Sequence, residues 1–442
     1  MYDKVRSLLF KLQPETAHSL AERFLRYFCV LPGVQDVLVR NFVIADSRLA
    51  NDILGLHFPN PLGLPAGFDK NATMIEGLST LGFGFLEIGT ITQTPQSGNP
   101  KPRLFRFPKE KSLQNCMGFN NQGVLSIAKR LKKITPFAIP LGLNLGKNKI
   151  IAQRDSLKNY ENTLKELLEY GDYFVFNVSS PNTPKLRDLQ NKEFIGSLCK
   201  MARNNTQKPI FIKLSPDMHD EDLLEVIESA YKNGCNGIIA TNTTIDYSLL
   251  EGAKNEGGLS GQVLKEKSRE VFASIAKEFF GKLTLISVGG IDDAKEAYER
   301  IKMGASLIQA YTGFVYKGPS FAKDINEGIL ELMQKDGFNH ISEAIGADYK
   351  KGKKAREKSV KTESKATKAT SQEAKTTKEA KAKATKAKEP KDSKKSKQPN
   401  SVAESANLTN KKTPSMGAKR SGAEAKRNSL PRDDTIDGIE KD

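Results

Sequence analysis

Cysteine, histidine and long apolar runs are all scarce in this chain. Four cysteines (Cys29, Cys116, Cys199, Cys235) occur in 442 residues, without C-x-x-C spacing or nearby histidines. That excludes zinc and iron–sulfur centres, implies no disulfide framework and fits a reducing cytosol; no metal is expected. No run of about 18 apolar residues exists, so no membrane-spanning helix is expected. The N-terminus lacks a continuous apolar core and a small-residue cleavage site, so no secretory signal is expected. No G-x-G-x-x-G follows a strand in a Rossmann setting, which disfavours bound NAD.

Charge is unevenly placed. Residues 348–442 carry 27 Lys and Arg against 14 Asp and Glu, which leaves 42 basic and 38 acidic for residues 1–347. The net charge of +17 therefore belongs mostly to the C-terminal stretch. That stretch has few large apolar side chains and cannot offset the entropy of ordering, so disorder is expected. Its charge suits nucleic acid or anionic lipid, although no aromatic follows Tyr349 for base stacking. At the other end, Val5, Leu8, Leu9 and Leu12 mark one short helix. After Pro14 a second stripe runs Ala17, Leu20, Ala21, Phe24, Leu25, Phe28. Basic flanks suit these helices to an anionic membrane surface, and equally to packing on the main domain. Three segments are expected: helices over 1–40, a main domain over 41–337 and a basic low-complexity tail over 338–442.

The middle segment alternates. Apolar strand candidates are Leu62–Ala66, Phe83–Ile88, Leu141–Leu145, Tyr173–Val178, Ile210–Leu214, Gly237–Ala240, Leu283–Val288 and Ser306–Ala310. Helical patterns separate most of them, as at Glu161–Glu169, Asp222–Lys232, Lys267–Phe280 and Ala294–Met303. Continuous apolar strands between helices mean a parallel sheet, and eight of them suggest a closed (β/α)8 TIM barrel. The gap from 91 to 137 must hold an excursion over the barrel mouth. Polar residues recur at the strand ends: Lys70, Thr90, Asn144, Asn177, Lys213, Asn242, Gly289-Gly290 and Tyr311-Thr312. Each alone is an ordinary cap or turn. Together they sit where barrel enzymes place their active sites.

The stretch Asn177 to Pro184 follows the buried run Tyr173–Phe176 with Asn177, Ser180 and Asn182, and buried strands seldom end in such groups unless a ligand satisfies them. Gly289-Gly290, with Gly313, fits a phosphate site after strands seven and eight, and flavin mononucleotide (FMN) suits a single such site. Lys70 and Lys213 suit a substrate carboxylate, negative charge on a reduced flavin, or a Schiff base.

The segments Asn60 to Lys70, Glu87 to Thr90, Lys101 to Arg106, Met117 to Asn121, Asn144 to Lys147, Asn177 to Pro184, Ala240 to Thr244, Gly257 to Gly261 and Tyr311 to Pro319 carry a resemblance. Residues 1–335 resemble the quinone-dependent (class 2) dihydroorotate dehydrogenases, flavoenzymes of pyrimidine synthesis. The resemblance implies oxidation of dihydroorotate to orotate, with Ser180 taking a proton from C5, hydride passing from C6 to N5 of FMN, and electrons passing on to a membrane quinone. A free serine is a poor base and needs a hydrogen-bonding partner and a water relay. Substrate would be held by Lys70, Asn115, Met117, Gly118, Phe119, Asn177, Asn182, Asn242 and Thr243. FMN would be held by Ala66, Gly67, Thr90, Asn144, Asn177, Lys213, Thr241, Gly261, Gly290, Tyr311 and Thr312. The N-terminal helices would form a quinone tunnel and dock on the membrane, with His18, Arg106 and Tyr311 near the tunnel. A peripheral location on the cytoplasmic side of the inner membrane follows. A soluble class 1 relative using NAD or fumarate is disfavoured by Ser180, where those enzymes have Cys, and by the helices. Two departures stand out: Cys116 replaces a usual arginine, and Ser287 replaces a usual glycine. Ser179 is expected to be structural. The tail has no counterpart in the family.

Overall fold

A computed structural model describes residues 2–350, so the basic stretch beyond Lys350 lies outside the described residues. Three helices open the chain: α1 (Tyr2–Leu9), α2 (Pro14–Arg23) and α3 (Val34–Phe42), with a π-helical turn over Phe24–Phe28 prolonging α2. Pro14 starts α2 because a first-turn N–H has no helical partner to lose. An antiparallel hairpin follows, β1 (Asn51–Ile53) and β2 (Leu56–Phe58). The barrel begins with β3 (Leu62–Leu64), α4 (Ile75–Ser79) and β4 (Phe85–Ile91). The expected excursion holds β5 (Leu104–Phe107), β6 (Ser112–Asn115) and α5 (Val124–Ile134). Alternation then resumes through β7 (Leu141–Leu145), α6 (Ser156–Lys165), β8 (Tyr173–Asn177), α7 (Lys192–Asn205), β9 (Ile210–Leu214), α8 (Asp220–Lys232) and β10 (Gly237–Ala240). A short strand, β11 (Gly258–Gly261), pairs with β6 outside the barrel. The chain returns through α9 (Lys265–Phe279), β12 (Thr284–Val288), α10 (Ala294–Lys302) and β13 (Leu307–Gln309). It finishes with α11 (Thr312–Lys317), α12 (Phe321–Asp336) and α13 (Ile341–Ala344).

Eight parallel strands close in the order β3, β4, β7, β8, β9, β10, β12, β13, and the seam pairs Ile308 with Leu62. All eight expected strands are present, so the (β/α)8 expectation holds. The period of two explains how one apolar run serves two cores. On β8, Phe174 and Phe176 join the core under the helices, while Tyr173 and Val175 turn into the lumen. Inside, Tyr173, Val175, Phe211, Ile239, Ile286 and Leu307 pack with Phe85. Ile53 and Phe58 of the hairpin join the same cluster and plug the lower end; the Phe58 and Phe85 rings meet edge-on at 5.4 Å. Gly63 and Gly142 leave room for these rings, since a Cβ at Gly142 would lie 2.2 Å from the Tyr173 ring.

The expected boundary at residue 338 is too early. Ile341, Ala344 and Ala347 are buried on the barrel, and Tyr349 stacks on Phe280 at 5.6 Å. A short apolar stripe docks this segment although its neighbours are polar.

Gly142→Ala is expected to destabilise the barrel by about 1–3 kcal/mol, the usual cost of overpacking a filled core. Chemical denaturation checks it, and Tyr173→Leu in the same chain should recover part of the loss.

Candidate active site

The strand ends and connecting loops open into one cavity of about 620 Å³, within the range of small-molecule sites. Ser180 lines it, as do Lys70, Asn115, Met117, Gly118, Phe119, Asn177, Asn182, Asn242 and Thr243. Ala66, Gly67, Thr90, Lys213, Thr241, Gly261, Gly290, Tyr311 and Thr312 complete the same wall. Asn144 lies one layer deeper and is fully buried. There it accepts a hydrogen bond from Thr90 Oγ1 at 2.6 Å and donates to Glu87 Oε1 at 2.7 Å. Asn177 Nδ2 donates to Thr90 Oγ1 at 3.0 Å, so a line of bonds runs from the cavity to Glu87.

The loop after β8 is shaped by local bonds. Ser180 Oγ accepts the Asn182 N–H at 3.2 Å. Ser179, expected to be structural, is fully buried and its Oγ accepts from Asn242 Nδ2 at 2.9 Å. Asn182 Nδ2 donates to Asn115 Oδ1 at 2.9 Å, tying the loop to the excursion. Behind the loop Arg187 donates to the carbonyls of Ser179 and Thr243, both at 2.9 Å, and to Asp217 Oδ2 at 2.8 Å. Burial works against the Asp217 carboxylate, but bonds from Lys267, Thr244, Ile245 N and Arg187 hold it below the usual range.

A second loop is braced from behind in the same way. Gly290 adopts φ +71°, and a Cβ there would lie 2.3 Å from Lys265 Cα, so only glycine fits. The Gly289 carbonyl accepts from Ser268 Oγ at 2.8 Å and the Gly290 carbonyl from Gln262 Nε2 at 3.1 Å. Arg300, fully buried, donates to Ser268 Oγ, the Lys265 carbonyl, Ser287 Oγ and Glu296. Ser287, a departure from the family pattern, is thus a partner of Arg300. Its carbonyls are thus engaged by protein donors while both glycines line the cavity, an arrangement compatible with an anionic group. Cys116, the other departure, is buried beside Gly257, and burial pushes its thiol up to about 11.

The N-terminal helices line the cavity through Arg6, Phe10, Glu15, His18 and Glu22. Arg103 latches α2 to the excursion: it donates to Glu15 Oε1 at 3.0 Å and to the carbonyls of Ser97 and Asn99. The His18 ring meets Phe68 edge-on at 5.1 Å, and Phe68 in turn meets Tyr311 at 5.7 Å. Burial and the nearby Lys70 push His18 down to about 3, so it is neutral. Arg106 is not brought to the cavity; it bonds the Leu12 carbonyl at 2.9 Å and covers the Phe10 ring. Lys70 Nζ donates to the Gly67 carbonyl at 2.6 Å, and burial, partly offset by Asp69, lowers it to about 8.

Three buried polar atoms of the cavity residues have no protein partner: Asn120 Oδ1, Asn182 Oδ1 and Thr241 Oγ1. Orphans of this kind are rare unless a ligand satisfies them. Glu87, Gln309, Arg187, Asp217 and Arg300 also support the site, although no strand-end pattern in the sequence marks them. A charge inside the apolar run Phe85–Ile91 was a usable signal for Glu87. Arg187 had none, because its partners are remote in the chain.

A closed barrel with a polar ring and a deep cavity at the C-terminal ends of its strands defines a barrel enzyme. Residues 48–333 match the family model described as dihydroorotate dehydrogenase, and the chain belongs to that family. It is 54% identical to the dihydroorotate dehydrogenase (quinone) of Sulfurimonas denitrificans over 353 residues, 79% of this chain and 99% of the relative. Identity to the protein of that name from Helicobacter acinonychis is 52% over 348 residues, again 79% and 99%. Among solved structures, the Eimeria tenella DHODH in complex with ferulenol superposes with a TM-score of 0.70 at 32% identity, covering 77% of this chain and 98% of that one.

Arg187→Ala is expected to cost about 1.5–3 kcal/mol, the range for hydrogen bonds to a charged group. Faster amide exchange over residues 179–184 should accompany it, and Arg187→Lys, which lacks the planar fork, should restore little.

Proposed function

We propose that this chain oxidises dihydroorotate to orotate in pyrimidine biosynthesis and passes the electrons to a membrane quinone. The observation that carries this is Ser180 set among Asn177, Asn182, Asn242 and Lys70 in one cavity, in a chain about half identical to enzymes of that name. FMN is the cofactor of this reading, and when bound it supplies a hydride acceptor at N5. Support for it comes from the Gly289-Gly290 loop, whose carbonyls face protein donors, and from the unpartnered Thr241 Oγ1. Thr241, Lys213, Gly261, Gly290, Tyr311 and Thr312 would hold it.

In this mechanism the Lys70 ammonium pairs with the substrate carboxylate, and the asparagine amides fix the ring. Ser180 Oγ takes the proton from C5 as its own hydroxyl proton passes to a relay water in the cavity, while the hydride leaves C6. The N–H that Asn182 donates to Oγ favours negative charge there. Arg187 keeps the loop in place by holding the Ser179 carbonyl.

The N-terminal helices suit docking on a membrane surface. Leu8, Phe24, Tyr27, Phe28, Leu31 and Val37 are exposed there, beside Arg23, Arg26 and Arg40. No helix among the described residues is long and apolar enough to cross a membrane. His18 and Tyr311, joined through Phe68, are the residues of this reading nearest a quinone path.

Purified protein should be yellow, bleach with dihydroorotate and recover its colour with a soluble quinone. Ser180→Ala should keep the colour and bleach orders of magnitude more slowly. A colourless wild-type chain that cannot be reconstituted with FMN would overturn the reading. A second test uses pH. Lys70 is charged below about 8 and neutral above it, so kcat/KM for dihydroorotate should fall as pH rises through that value. Lys70→Met should show a high KM throughout and lose that limb of the profile.

A further inference from the structure

The floor of the cavity contains a buried carboxylate that no step above uses. Glu87 projects from β4 into the lumen, and its side chain is wholly buried. Its two oxygens serve three other strands. Oε1 accepts from Asn144 Nδ2 on β7 at 2.7 Å and lies 3.7 Å from Lys213 Nζ on β9. Oε2 accepts from Gln309 Nε2 on β13 at 2.7 Å. A carboxylate in such a place is costly unless it is both paired and bonded. The barrel does not need it for packing, because rings and aliphatic chains fill the layer below, and apolar groups of equal volume close a core as well or better. What Glu87 touches leads upward instead. Lys213 lines the cavity, and Asn144 connects through Thr90 to Asn177, which lines it too.

We propose that Glu87 is a positioning residue for the cofactor. It holds Lys213 and Asn144 in place and offsets the Lys213 charge, so the floor is nearly neutral rather than positive. The inference rests on the FMN reading of this cavity. A positive floor would favour the electron-rich reduced cofactor; the Glu87 carboxylate weakens that preference and lowers the midpoint potential. An enzyme that must hand its electrons to a second acceptor gains from that balance.

The midpoint potential of the bound flavin in purified holoenzyme reads this directly, apart from activity. Glu87→Gln keeps the shape and removes the charge. It should raise the potential by ~30 mV or more, a tenfold change for a two-electron couple. Gln309→Met removes one donor from the carboxylate and leaves it less neutralised, so the potential should fall. Glu87→Gln combined with Lys213→Gln removes both charges and should return towards the wild-type value. A structural role alone lowers the melting temperature without this pattern of signs. Unchanged potentials, or shifts of one sign in Glu87→Gln and Gln309→Met, overturn the proposal. Should Glu87→Gln fail to fold, the fall expected for Gln309→Met still decides it. A wild-type chain that takes up no FMN overturns the cofactor reading, and this inference with it; normal FMN uptake with unshifted potentials overturns this inference alone.

Discussion

A closed parallel barrel directs every second side chain of each strand into a lumen that holds little or no water. Any charge placed there must be neutralised by another strand. The chain meets that constraint in two layers. Below, Phe85, Tyr173, Phe211 and Ile286 fill the lumen over a hairpin plug. Above, Glu87 is answered by Lys213, Asn144 and Gln309, each from a different strand. The change from apolar to polar layer is where the fold becomes a site. Lys213, Thr90 and Asn177 belong both to the bonds of the lumen and to the wall of the cavity.

The loops above the barrel share a different device. Arg187, Arg300 and Arg103 each grip at least two backbone carbonyls and one carboxylate. A planar guanidinium with five donors suits that task better than an ammonium. Arg187 stands behind the Ser180 loop, Arg300 behind the Gly289-Gly290 loop, and Arg103 between α2 and the excursion. None of the three lines the cavity; each engages carbonyls from behind and fixes the loop that carries them. The cost of burying each cation is met by Asp217, Glu296 or Glu15.

Much of this was legible in the chain. Eight apolar runs at regular intervals marked the strands, and polar residues at their ends marked the cavity wall. Less was legible where partners are distant. The hairpin plug was missed because Asn51–Phe58 is short and mixed in character. The β5–β6–β11 sheet joins strands on either side of four barrel strands, so no local pattern announces it. The ordered chain runs past 338 because three buried apolar residues, Ile341, Ala344 and Ala347, and the Tyr349 ring dock a segment that is otherwise polar. Arg106, expected near a tunnel between the N-terminal helices, bonds the Leu12 carbonyl and covers the Phe10 ring, contacts about a hundred residues away in the chain.

The sequence by itself determined the strand count, the two-faced burial of each strand and the type of residue at each strand end, because periodicity and composition are local properties. Only the tertiary structure decided which of those residues share a wall, that Asn144 lies beneath it, and that Glu87 and Lys213 neutralise each other. Those facts depend on the closure of β13 onto β3 and on the register of every pair between them. Closure brings together side chains more than two hundred residues apart, as with Gln309 and Glu87, and no window along the chain contains both.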